Sequence, residues 1–278
     1  MGMNFDDIRG GYTQVDRVRD PAAMVAHMDR MQAMDPFREV KRWNLALLDL
    51  RPGSRILDVG CGPGDDARTI AEIVGPTGSV VGIDASETMV ATARRRLEGL
   101  DLPVEYRVMD AARLGFEGER FDGSRADRVL QHLADPERAL AEMIRVTKPG
   151  GVVAISDTDW GMSAVDLSNR SMVRWMTTMI AENIPNGWIG RQLPRLFRSA
   201  GLRAIEVVPH VILDTMGQLG PPGVPPEKVA PMLVARARHE GILTEEEGEA
   251  FAAEWQARMA DGTFLRAIVM CTVAGRKG

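Results

Sequence analysis

Apolar positions along the chain switch between two periods. Near the N-terminus they follow helical spacing. Met24, Met28, Met31 and Met34 mark one face of a helix that starts at Pro21 behind the capping residue Asp20. A second helix is predicted from Pro36 to Leu50 and stops at Pro52-Gly53. From Arg55 onward short apolar runs alternate with amphipathic stretches. Strands are predicted at 55–59, 79–83, 104–108, 121–126 and 151–156, with helices at 65–74, 86–98 and 136–147. The last of these helices opens on Asp135-Pro136-Glu137, which supplies a cap, a first-turn proline and an acid matched to the helix dipole. This alternation implies an α/β fold, a doubly wound sheet whose ligand lies beyond the C-terminal ends of its strands.

Beyond residue 157 the alternation loosens. Helices are predicted over 166–183 and 190–200, and strands over 203–213 and 264–274. Between those two strands lie a Gly/Pro-rich loop, 217–226, and two helices near 227–240 and 245–260. Thr244-Glu-Glu-Glu247 is a capping box for the second. The expected organisation is an N-terminal helical lid segment, 1–50, and a main domain, 51–278, whose helical insertion at about 214–262 covers the site.

Composition narrows the class. The chain has 278 residues, of which 45% are hydrophobic and 26% charged, an ordinary globular balance with enough length for a sizeable core. No stretch approaches the roughly 20 apolar residues of a membrane span. Met1 to Gly11 is polar and has no secretory core, so a cytoplasmic protein without membrane insertion is expected. Cys61 and Cys271 make no disulfide framework, and the histidines at 27, 132, 210 and 239 lack metal-ligand spacing, so no metal is expected. A net charge of −5 argues against a nucleic-acid partner.

The informative segment is Leu57-Asp-Val-Gly-Cys-Gly-Pro-Gly64, between a strand and a helix. Its glycines let a ligand approach the backbone. A nicotinamide fingerprint requires glycine at 60, 62 and 65, and position 65 is Asp, which would repel a pyrophosphate. Asp58 suits a ligand with a positive group. Asp84 ends the second strand, where a carboxylate can accept both hydroxyls of a ribose. Asp110-Ala111, after the third strand, is placed to meet an adenine edge.

Asp58-Val-Gly-Cys-Gly-Pro-Gly64, Ile83-Asp84, Met109-Asp-Ala111, Phe121-Asp122 and Lys148-Pro-Gly-Gly151 together resemble the ordered motifs of class I S-adenosylmethionine-dependent methyltransferases, over roughly residues 40–157. The variety is similar to the small-molecule enzymes of ubiquinone and menaquinone biosynthesis and of natural-product pathways in secondary metabolism. The resemblance implies a Rossmann-like, seven-stranded, mostly parallel sheet whose last strand, 264–274, enters antiparallel between strands five and six. It implies S-adenosylmethionine as cofactor and S-adenosylhomocysteine as product, with no metal. By the same resemblance Gly60, Cys61 and Gly62 meet the methionine part through their backbone. Asp58 sits near its ammonium, directly or through water. Asp84 holds the ribose, Ala85 and Met89 flank the adenine, Asp110 and Ala111 bond its edge, and Ala126 lies near the sulfonium.

Two departures stand out. Phe121-Asp-Gly-Ser-Arg-Ala126 is polar for a central strand, and its Arg125 must pair with a neighbouring acid or with substrate. Asp127-Arg-Val-Leu-Gln-His132 replaces an Asn-Pro-Pro-Tyr-like motif, which speaks against methylation of adenine or of glutamine amides.

The expected activity is methyl transfer to an O, N or C nucleophile of a small, hydrophobic metabolite, with a homodimer left open. His132 is the catalytic or substrate-contact candidate, against a role in supporting its loop. Asp157 and Asp159 either touch substrate or cap a loop. Trp160 is expected to wall the pocket, and Tyr12 to close over the cofactor or lie on the surface. The Met24/28/31/34 stripe is either helix core or an adaptable substrate wall. Three rivals remain: a protein that binds S-adenosylmethionine without transferring methyl (a sensor, or a scaffold for another reaction), a nicotinamide-dependent oxidoreductase, and an RNA or protein methyltransferase.

Overall fold

The computed structural model describes residues 15–17, 20–221 and 224–278. Seven strands form one sheet: β1 (Arg55–Val59), β2 (Ser79–Asp84), β3 (Val104–Val108), β4 (Phe121–Asp127), β5 (Thr147–Val165), β6 (Arg203–Asp214) and β7 (Arg266–Arg276). Their order is β3-β2-β1-β4-β5-β7-β6. The first five strands run parallel, and β7 is antiparallel to both neighbours, between β5 and β6 as expected.

Period-two alternation explains why helices cover both faces. Leu57, Val59, Val81, Ile83, Val153 and Ile155 belong to one core, and Ile56, Val80, Val152 and Ala154 belong to another. The first core packs against α5 (Pro136–Val146) and α7 (Ile189–Ser199), and the second against α3 (Asp65–Val74) and α4 (Glu87–Leu97). Two N-terminal helices, α1 (Pro21–Ala33) and α2 (Asp35–Leu47), precede the sheet. Phe37 and Val40 of α2 pack against β6 and β7.

The insertion before β7 holds α8 (Pro226–His239) and α9 (Glu245–Asp261), and Thr244 and Glu247 form the capping box. These helices share a third core with α6 (Arg170–Asn183), built on Met172, Met176, Leu233, Phe251, Trp255 and Phe264.

β5 is the main correction to the expected elements. It does not stop at 156 but continues to Val165, where it still pairs with Arg266 of β7. Asp157 and Asp159 therefore lie inside a strand, both fully buried, and not in a loop. Among the described residues no helix is long and apolar enough to cross a membrane.

Candidate active site

The turn from β1 to α3 brings backbone close to the strand ends. Gly60 has φ +65°, and a Cβ there would meet Val129 Cγ2 at 2.3 Å. Gly62 has φ +52°, and its Cβ would meet Met28 Cε at 2.6 Å. Neither position accepts a side chain. Asp84 ties this turn to the next one. Its Oδ2 accepts from Gly62 N at 3.0 Å and its Oδ1 from Ser86 N at 2.9 Å. Burial raises the Asp84 pKa, although the two backbone N–H groups act the other way.

The N-terminal segment reaches the same spot. Asp16 Oδ1 accepts from Ser86 Oγ and Thr88 N, and its Oδ2 from Glu87 N, at 2.8–3.0 Å. Burial raises the Asp16 pKa, but the donors on Thr88, Ser86 and Glu87 outweigh it and hold the group at about 2. This carboxylate caps the first turn of α4 from another part of the chain.

One cavity of about 900 Å³ opens above the strand ends. Of the residues singled out in the sequence, Gly60, Asp84, Ala85, Met89, Asp110, Ala111, His132 and Trp160 line it. Asp110 is exposed, and its Oδ1 accepts from Ala112 N at 2.8 Å. Trp160 is held by its indole N–H, which donates to Gln131 Oε1 at 2.7 Å. His132 follows β4 on a short 3-10 turn, Leu130–His132. Burial, with Arg128 nearby, pushes its pKa down to about 3, so the imidazole is neutral at neutral pH. From the methionine stripe, Met28 and Met31 line the cavity, while Met24 packs in the core with Val15 and Met89. Tyr12 falls outside the described residues.

Asp58, Cys61, Gly62, Ala126 and Asp157 are not in the lining. Cys61 and Ala126 are buried beside the turn, and Gly62 contributes its N–H to Asp84. Asp58 is held by Arg125. The Arg125 Nη1 donates to Asp58 Oδ1 at 2.8 Å and to Asp66 Oδ2 at 2.9 Å, and its Nε donates to Asn44 Oδ1 at 2.7 Å. Lys41 supports Asp66 at 2.6 Å. The polar strand β4 thus carries a buried ion cluster, and the neighbouring acids, not substrate, hold its arginine. Burial pushes Asp58 up to about 6 against the pull of Arg125. Its Oδ2 has no partner, so contact with an ammonium through water is what this geometry leaves.

Asp157 secures a turn. It accepts from Gln131 N at 3.2 Å and Thr158 N at 3.1 Å, and so fastens the turn carrying His132 to β5. Burial pushes it up to about 7. Because the folded state keeps the proton longer than the unfolded chain, stability should fall as pH rises from about 4 to about 7. Each pH unit in that window costs up to about 1.4 kcal/mol. Asp157→Asn should remove this component, so its melting temperatures at pH 5 and pH 8 should lie closer together than those of the wild type. An unchanged gap would assign the pH dependence elsewhere. Asp159, its neighbour in the strand, is paired with Arg191.

Several lining residues carried no sequence signal. Asp127 and Arg128 end β4 at the cavity. Met176, Met179, Trp255 and Arg266 come from α6, α9 and β7. Only the position of Asp127 and Arg128 directly after a parallel strand could have pointed to them. Among the described residues no cluster of three His, Cys, Asp or Glu side chains is placed to hold a metal.

A methyltransferase-domain family model matches residues 56–151, the β1-to-β5 segment that builds the turn, the Asp84 corner and the Asp110 edge. A demethylmenaquinone methyltransferase of Bacillus cytotoxicus is 31% identical over 214 residues, covering 70% of this chain and 90% of that protein. The chain belongs to the class I S-adenosylmethionine-dependent methyltransferases. An uncharacterised transposon-encoded protein of Streptomyces fradiae is 44% identical over 186 residues, and this methyltransferase-family chain spans 54% of its length. The fold is shared with a phosphoethanolamine N-methyltransferase of Haemonchus contortus, solved with phosphomonomethylethanolamine and S-adenosylhomocysteine. That structure gives a TM-score of 0.59 at 21% identity, covering 99% of this chain and 61% of that one.

The residues present fit the family's cofactor. Gly60 brings bare backbone to the cavity wall. Asp84 presents an acceptor at the cavity wall, steadied by two backbone N–H groups.

Proposed function

We propose that this chain transfers a methyl group from S-adenosylmethionine to an O, N or C nucleophile of a small, hydrophobic metabolite. The observation that carries this reading is the continuity of the cavity. One wall holds Gly60, Asp84, Met89 and Asp110, and the same space runs on to Met176, Met179, Ile268 and Met270. In this reading Asp84 accepts from the ribose diol, Ala85 and Met89 flank the adenine, and Asp110 and Ala111 take its edge. The cofactor, when bound, supplies an electrophilic methyl on a sulfonium. The chain's own part is to hold the nucleophile in line and exclude water, and such orientation can be worth about 7–11 kcal/mol. The N-terminal helices and the insertion serve as the lid.

His132 is proposed to contact the acceptor group as a neutral imidazole. With its conjugate acid near 3 it is neutral and a weak base at equilibrium, so its part is to orient the acceptor group, not to store its proton. Formation of S-adenosylhomocysteine from the purified chain with a panel of apolar phenols, acids and amines tests the activity. His132→Asn should lower kcat up to about tenfold, the loss of one hydrogen bond, while leaving S-adenosylhomocysteine affinity unchanged. Binding without turnover on any acceptor would support a non-transferring role. The net charge of −5 favours a metabolite over nucleic acid. We place the enzyme in the cytoplasm, and a homodimer is compatible with this account.

A further inference from the structure

The half of the cavity that faces the insertion is walled mainly by methionines and aliphatic residues, yet it holds one buried cation. Arg266, the first residue of β7, is only 7% exposed and lines the cavity. Its Nη1 donates to Leu219 O at 2.9 Å, and its Nε is buried with no partner. Among the described residues no carboxylate lies within ion-pair distance of it. Asp214 is opposite in the β6–β7 register, but its oxygens accept from the backbone N–H groups of Met216, Gln218 and Leu219. A second buried donor is also unpartnered: the indole Nε1 of Trp255, another lining residue, 4% exposed. Leaving a buried donor without an acceptor is costly, and more so for a charged one. The acids of the lining (Asp16, Asp84, Asp110 and Asp127) come from the N-terminal segment and the ends of β2, β3 and β4.

We infer that Arg266 and Trp255 form an anchoring site for an anionic oxygen group of the substrate, a carboxylate at the end of an elongated apolar body. The inference rests on the methyltransferase reading, and it adds the substrate's class and orientation. Asp127, at the end of β4, pairs with Ser156, and Ser156 pairs with Thr272. Arg266 lies six residues from Thr272, about 20 Å farther along β7. The anchored carboxylate is therefore remote from the methyl donor, and the atom methylated belongs to the opposite end of the molecule.

The test uses the full chain and three probes of equal length: dodecanoate, 1-dodecanol and dodecylamine, each titrated calorimetrically below its micellar concentration. S-adenosylhomocysteine is titrated into the same proteins. Dodecanoate should bind about tenfold or more tightly than the alcohol, and the amine most weakly. Arg266→Gln should abolish that preference. Trp255→Phe, which keeps the ring and removes the N–H, should reduce it, and both variants should bind S-adenosylhomocysteine as the wild type does. Equal binding of dodecanoate and dodecanol, or a preference that survives in Arg266→Gln, would overturn the anchoring site. Failure of S-adenosylhomocysteine to bind the wild type would instead overturn the methyltransferase reading beneath it.

Discussion

Arg125→Met is expected to lower the melting temperature by about 6–20 °C. Breaking one side of a buried ion pair costs about 3–5 kcal/mol, and a domain of this size loses about 2–4 °C per kcal/mol. Arg125 is 1% exposed and is the partner of two carboxylates, Asp58 and Asp66, on β1 and α3. Methionine fills much of the volume but leaves both acids to Lys41, which lies at 2.6 Å from Asp66. Without the arginine, the Asp58 pKa should rise above its present value of about 6, so the loss should be greater at pH 8 than at pH 5. Asp58→Asn in the same background should recover part of it. Thermal unfolding of the three proteins at both pH values decides the matter. A single Arg125→Met variant as stable as the wild type would mean that the cluster does not hold β4 in place.

Asp84→Ala should weaken S-adenosylhomocysteine binding about 10²–10⁴-fold. A charged acceptor contributes about 1.5–3 kcal/mol per hydrogen bond, and a ribose diol offers two donors. Asp84 is set for this by the two N–H groups it already accepts, which fix the carboxylate relative to the glycine turn. Asp84→Asn retains one acceptor oxygen and should lie between the two. Circular dichroism and melting temperature check that the variant is folded. An alanine variant that binds as tightly as the wild type would place the ribose elsewhere.

Local features made much of this molecule legible. The glycine turn after β1 and the acid at the end of β2 follow from short-range pattern and stand where the motifs put them, while the antiparallel last strand is what the family resemblance implied. What escaped reading depends on contacts distant in sequence. Residues 157–165 contain two aspartates and a glycine and look like a loop. They form strand because Asp157 is satisfied by two backbone N–H groups and Asp159 by Arg191, 32 residues away. Arg125 looked like a possible substrate contact because its acids, 67 and 59 residues away, come together only when β1 and α3 pack beside β4. Arg266 gave no signal at all. Its interest arises from the Nε left unpartnered at the cavity, and no periodicity reports that.

The central claim is tested most directly by calorimetric titration of the wild-type chain with S-adenosylhomocysteine and, separately, with NADH. The account predicts saturable one-to-one binding of S-adenosylhomocysteine and no heat beyond dilution with NADH. No binding of S-adenosylhomocysteine, or binding of NADH in its place, would contradict it.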